Sequence, residues 1–216
     1  MQPTRRIRKQ ETRPVVVVVC EGTETEPIYF RRFREKYRHN IIIDVAGKKG
    51  NLNSLIQEAI KKREEHIAGL ENEEECSAWC VIDADVDYNT PGNLIAKNNQ
   101  IKEAQKKAEN IIKIALSNPC FELWFLLHYL CIASPMRNYE DVMKYLKKQK
   151  GFEDYKKVKD VFDILEDKLE IAKENTGKLK QHHKNHDKND LFDVSVTPYT
   201  NVWELIEVIQ KLSNLR

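Results

Sequence analysis

Carboxylates that follow apolar, β-branched runs are the first residues in this chain able to do chemistry. Glu21 comes directly after the run Val15 to Cys20. Asp83, Asp85 and Asp87 follow a second run, Ala78 to Ile82. Ser117 and Asn118 end a third, Ile111 to Leu116, and Glu122 lies about one helical turn beyond them. In extended chain alternate side chains share a face, so the Asp83-x-Asp85 spacing sets two carboxylates side by side. Two such charges repel unless a proton or a cation stands between them. Hard oxygen donors of this kind suit Mg²⁺ or Mn²⁺, which keep several waters and bridge to phosphate. The expected metal set is Glu21, Asp83, Asp85 and Asp87, with Asp87 beyond the pair and equally readable as solvated. The expected catalytic set is Glu21, Asp83, Asp85 and Glu122, with Glu122 equally readable as a carboxylate serving a helix N-terminus. Glu21 either completes the ligand set or moves a proton. An Asp-x-Asp alone is equally at home in a solvated loop. Its weight here comes from a Glu at the end of another buried strand.

The elements that must position these residues follow from periodicity. A continuous Val run is the pattern of a central strand buried on both faces. Thr23 and Glu26 have capping-box spacing and Pro27 suits a first turn, so a helix is predicted to start here and end near His39–Asn40. Glu24 and Glu26 are assigned to that helix start before any metal. Ile41 to Val45 reads as a strand. A helix carrying Leu55, Ile56, Ala59 and Ile60 follows, capped by Asn53 or Ser54. Alternating strands and helices over residues 14–134 predict an α/β class with a mostly parallel sheet flanked by helices. In such sheets ligands sit beyond the carboxyl ends of the strands, where the acidic residues fall. Residues 1–13 read as a flexible basic arm. Residues 135–216 read as a helical extension packing back on the core, with helices at about 139–149, 155–174 and from Asn201, and a polar stretch over 175–190.

Composition narrows the classes. Of 216 residues, 41% are hydrophobic and 32% charged, the mix of a soluble globular chain. No apolar run approaches the roughly 20 residues of a bilayer span, so no membrane partner and a cytoplasmic location are expected. The five cysteines, Cys20, Cys76, Cys80, Cys120 and Cys131, fit no zinc or redox spacing and read as free, mostly buried thiols. Net charge is only +2, which does not by itself announce a polyanion partner. Local clusters do better. Arg5, Arg6, Arg8, Arg13, Arg31, Arg32, Arg34 and Arg38, with Lys97, Lys102, Lys106 and Lys107, are candidates for phosphate contacts. Gly47 to Gly50 lacks the order of a P-loop, so the chain itself is not expected to hydrolyse ATP. His128 reads as a packing residue, and His182, His183 and His186 lack zinc-type partners.

Three segments carry a resemblance. Val17 to Phe30 (VVVCEGTETEPIYF), the strand ending in Asp83-x-Asp85, and Ser117 to Tyr129 (SNPCFELWFLLHY) resemble the RloB-like family, and so does Tyr199 to Ile206 (YTNVWELI). That family is prokaryotic, is often encoded in defence or restriction loci, and is regarded as related to TOPRIM nucleases. The resemblance implies a TOPRIM-like sheet with Glu21 as general acid/base and Asp83 and Asp85 as metal ligands. It further implies a Mg²⁺- or Mn²⁺-dependent nuclease acting on DNA or RNA, tRNA included, as an anti-phage effector. A separately encoded ATPase partner and a homo-oligomer stay open. So does a non-catalytic reading, in which the same scaffold binds nucleic acid or a partner protein without cutting.

Overall fold

The computed structural model describes residues 13–48, 50–90, 92–108 and 111–214. Five strands form one sheet: β1 (Val15–Cys20), β2 (Ile42–Gly47), β3 (Cys76–Asp83), β4 (Ile112–Asn118) and β5 (Tyr199–Thr200). Their order is β2-β1-β3-β4-β5, parallel throughout except for β5, which runs antiparallel to β4. The expected α/β class and mostly parallel sheet are borne out.

β1 shows why the Val run belongs in the middle. Val16, Val18 and Cys20 enter the core on one face, and Val15, Val17 and Val19 enter the core on the other. The first face is covered by α1 (Thr25–Tyr37), α4 (Glu122–Leu127) and α8 (Val202–Ser213), the second by α2 (Leu52–Ile67) and α3 (Asn93–Ala108). β-branched residues suit this double burial because the pleated surface packs their branches on both sides. Residues beyond 135 join the first core. Val142 and Leu146 on α5 (Tyr139–Leu146), Leu165 on α6 (Phe162–Leu165) and Ala172 and Leu179 on α7 (Leu169–Lys184) are all buried in it.

Several boundaries differ from the sequence reading. The N-cap of α2 is Asn51, whose Oδ1 accepts from Ser54 N at 2.9 Å. The Thr23–Glu26 capping box does not form: α1 has Glu24 at its N-cap with no side-chain cap bond, and Glu26 is buried. Residues 155–161 are not helical. The polar stretch from Asn175 belongs to α7, which runs to Lys184. Its polar residues face inward with partners: Asn175 Nδ2 donates to Leu127 O at 2.8 Å, and His183 Nε2 lies 2.8 Å from Pro198 O. The two-residue β5 has no sequence signal of its own, since a strand that short shows no period. Cys20, Cys76, Cys80 and Cys120 are buried free thiols, and Cys131 is exposed. Among the described residues no helix is long and apolar enough to cross a membrane.

Candidate active-site cleft

Register brings the acidic residues together. β1 and β3 pair in parallel with Cys20 opposite Val81, and the ladder continues as Glu21 N donates to Val81 O at 2.9 Å. Glu21 and Asp83 therefore leave neighbouring strands at the same edge, and Glu21 Oε2 accepts from Asp83 N at 3.3 Å. β4 lies beyond β3, with Asp83 opposite Ser117. From there the chain passes the Asn118–Pro119 bond into α4, which places Glu122 against the same edge. The result is a cleft of about 310 Å³ lined by the carboxylates of Glu21, Glu24, Glu26, Asp83, Asp85 and Glu122, with one cation, Lys157.

Local backbone serves this arrangement. Asp83 ends β3, and Asp85 takes a left-handed φ of 40°, held where its N–H donates to Pro119 O at 3.1 Å. Asp and Asn tolerate that region better than most residues, yet a non-glycine there is uncommon and concentrates at functional sites. The strand alternation expected to align Asp83 with Asp85 thus ends at Asp83, and the turn brings Asp85 to the cleft instead. Gly22 leaves room for the Glu26 carboxyl to lie across the turn: a Cβ at that position would fall 2.3 Å from Glu26 Oε2 and push the carboxyl aside.

Electrostatics set this cleft apart from ordinary surface acid. Glu122 is 2% exposed and Glu26 6% exposed. Burial pushes the Asp83 carboxyl well above the usual range, and the charges of Glu26, Glu122 and Glu21 push it further, against a bond from the Phe121 N–H. Glu26 is raised by burial first and then by Glu122 and Glu21. Glu122 Oε1 accepts from Tyr155 OH at 3.2 Å. Burial alone would lower Lys157, but the carboxylates of Glu122 and Asp83 outweigh it and hold the ammonium above its ordinary value. Asp83 Oδ1 is enclosed and has no hydrogen-bond partner. An enclosed carboxylate oxygen without a donor costs on the order of 1–3 kcal/mol, and more when charged. A proton or a cation removes that cost.

The donor set fits a hard divalent cation of the Mg²⁺ or Mn²⁺ kind. Among the described residues no group of three or more His, Cys, Asp or Glu side chains is arranged to hold a metal ion. A closed cage is therefore absent. Mg²⁺ does not need one, because it commonly takes one or two carboxylates and completes its shell with water and substrate phosphate.

Of the residues singled out from sequence, Glu21, Asp83, Asp85 and Glu122 share the cleft. Asp87 does not. It is exposed and its carboxylate accepts from Asn89 N at 2.9 Å and from Thr90 Oγ1, which closes a turn. Ser117 and Asn118 are buried in a neutral network away from the cleft lining. His128 packs edge-on to Trp124, with Nδ1 donating to Trp124 O at 2.9 Å. His183 turns into the core while the His182 and His186 rings lie tilted against each other, 4.4 Å between centroids, outside it. Arg5, Arg6 and Arg8 lie outside the described residues. Arg13 bonds to Arg38 O, and Arg32 is engaged by Glu35, Asp160 and Asp163. Lys102, Lys106 and Lys107 are exposed on α3.

Three contributors were missed. Glu26 was assigned to a helix cap; its signal was the Gly22 four residues earlier, which leaves room for a carboxyl to fold back. Tyr155 and Lys157 had no local signal, since they arrive from a charged, aperiodic segment far along the chain.

Fold and cleft together define an α/β protein whose parallel sheet presents a partly buried acidic cleft at its carboxyl edge. The family model described as RloB-like protein matches residues 16–209, nearly the whole chain, and the chain belongs to that family. No curated protein and no solved structure matches it.

Proposed function

We propose that this protein is a divalent-cation-dependent nuclease that hydrolyses a phosphodiester in DNA or RNA and serves prokaryotic defence in the cytoplasm. The observation that carries the reading is the enclosed, unpartnered Asp83 Oδ1 among the carboxylates of Glu21, Glu26 and Glu122. Such a site is expensive to keep as bare protein and suits a cation that arrives with its anionic substrate. A bound Mg²⁺ or Mn²⁺ would supply charge neutralisation at the phosphate and a more acidic water. Asp83 and Asp85 would hold it. Glu21, at the β1–β3 edge, would take the proton from the attacking water as its oxygen bonds to phosphorus and the bond to the leaving oxygen breaks. Glu122, fixed by Tyr155, and Glu26, fixed over Gly22, maintain the negative field that draws the cation in.

The alternative, a non-catalytic module that binds nucleic acid or a partner protein, is favoured by one observation: no three-donor metal group is preformed among the described residues. The carboxylates discriminate between the two. Labelled tRNA, single-stranded DNA and duplex DNA are incubated with Mg²⁺, Mn²⁺ or chelator, using wild type beside Glu21→Ala and Asp83→Ala/Asp85→Ala. Metal-dependent cutting that the substitutions abolish supports the nuclease. Metal-independent binding without cutting, unchanged by the substitutions, supports the module.

A further inference from the structure

Lys157 is the one basic side chain lining the cleft among the described residues, against six carboxylates. Its neighbours are built to hold it there. Two residues earlier, Tyr155 is 4% exposed and donates to Glu122 Oε1 at 3.2 Å. At Lys157 itself, the backbone carbonyl accepts from Thr25 Oγ1 at 3.2 Å, which ties this non-helical segment to the start of α1. Phe152 anchors the segment's other end and is fully buried. The backbone around Lys157 is thus fastened on both sides of the cleft, to α4 and to α1.

The side chain is left uncommitted. Among the described residues its ammonium makes no ion pair or hydrogen bond and only overlies the Tyr139 ring, 5.1 Å from the centroid. Nearby cations behave differently. Lys159 reaches Asp154 Oδ1 at 2.6 Å and Gly151 O at 3.0 Å, and Arg32 is held by Asp160 and Asp163. An ammonium surrounded by carboxylates yet bonded to none, on a backbone fixed from two sides, is arranged for an anion that comes from outside. A phosphate entering this cleft would otherwise meet only negative charge and whatever cation Asp83 and Asp85 hold.

We propose that Lys157 is a catalytic residue that donates from Nζ to a non-bridging oxygen of the substrate phosphate, steadying the charge that grows on it as water adds. The assignment rests on the phosphodiester reading of this cleft and names a substrate contact within it. Lys157 forms no covalent bond and keeps its proton. Its charge would act on the phosphate beside whatever cation Asp83 and Asp85 hold.

The test titrates inorganic phosphate, with Mg²⁺, into the full chain carrying ¹³C-labelled lysine, and follows the Lys157 Cε signal, identified by its loss in Lys157→Gln. The expected result is a saturable shift of that signal. Phosphate affinity should fall about tenfold in Lys157→Gln and change by less than about threefold in Lys157→Arg, since a charged donor is worth roughly that much. Lys157→Arg should melt as wild type does, and Lys157→Gln only slightly lower, because it loses the attraction of Glu122 and Asp83 but breaks no hydrogen bond or ion pair. A Lys157 signal that stays still through the titration, or Lys157→Gln binding phosphate as wild type does, overturns the assignment. Cleavage in the same preparations separates the two ideas. If wild type cuts nothing while phosphate still moves Lys157, the hydrolase reading fails and the anion-contacting lysine stands. If Lys157→Gln cuts at the wild-type rate, the lysine assignment fails and the hydrolase reading stands.

Discussion

Two polar clusters occupy the carboxyl edge of the same sheet, and they are solved in opposite ways. At the β4–β5 end every group has a partner. Asn118 Nδ2 donates to Val194 O at 2.8 Å and Val196 O at 3.0 Å, and its Oδ1 accepts from Tyr88 OH at 3.2 Å. Asn201 takes Leu116 N at 2.7 Å and gives to Ile114 O at 3.0 Å, standing in for the strand that β5 is too short to supply. At the β1–β3 end the groups are carboxylic; Asp83 and Glu26 are raised in pKa, and Asp83 Oδ1 is unpartnered. Neutral amides close one end and stabilise the fold. Acids keep the other end open at a cost that a proton or a cation would remove, and natural proteins keep such costs where function needs them.

That contrast can be broken from either side. The largest expected effect is on turnover. Glu21→Ala should lower phosphodiester cleavage on the order of 10²–10³-fold or more while leaving the melting temperature near wild type, as read by single-turnover kinetics beside calorimetry. Asn118→Ala should do the reverse to the fold. It strips the side-chain donor from Val196 O, while Val194 O and Tyr88 OH keep each other at 2.7 Å, so denaturant unfolding should show a loss of about 1–3 kcal/mol.

A similar loss should appear with pH. Burial takes His128 from 6.5 to about 4, against its bond to Trp124 O. The unfolded chain then takes up a proton before the folded one does, so this group's contribution is intact above about pH 6.5 and falls away toward pH 4. The full loss is about 3 kcal/mol. Glu26 and Asp83 act with the opposite sign: raised in the fold, they stabilise it at low pH, and that contribution is lost as pH rises through their folded values. Comparing wild type with His128→Phe by urea unfolding between pH 4 and 7 isolates the histidine, and the variant should show a flatter acid limb. The smallest effect belongs to Asp87. Asp87→Ala should change cleavage less than about threefold and cost at most about 1 kcal/mol, since its carboxylate only closes an exposed turn.

What could be read from sequence, and what could not, divides along physical lines. Glu21 and Asp83 were legible because a strand buried on both faces has only one way to end, and its last polar residue falls at the ligand edge. Asp87 looked equivalent because Asp-x-Asp-x-Asp has a period of two, but β3 stops at Asp83 and the left-handed Asp85 breaks the alternation. Asn118 looked like chemistry because a polar residue after an apolar strand reads the same whether it meets a substrate or a carbonyl. Its partners, Val194 and Val196, lie 76 and 78 residues away. The cleft's lysine side depends on a contact between Thr25 and Lys157 that spans 132 residues, a separation no local pattern encodes. The polar face of α7 was misread as loop because its inward groups, Asn175, Thr176 and His183, are satisfied by hydrogen bonds rather than by being apolar.

The central claim is that the acidic end is open because it awaits a cation. It is tested most directly by calorimetric titration of Mn²⁺ into wild type and Asp83→Asn, with melting curves in chelator alongside. The account predicts that wild type binds Mn²⁺ and melts higher with it. Asp83→Asn should lose that binding yet, in chelator at a pH high enough to ionise Asp83, melt above wild type, because the amide cannot take on the charge that burial and the neighbouring carboxylates oppose. Wild type that takes up no cation, or an Asp83→Asn chain that binds Mn²⁺ equally well and melts lower, would contradict it.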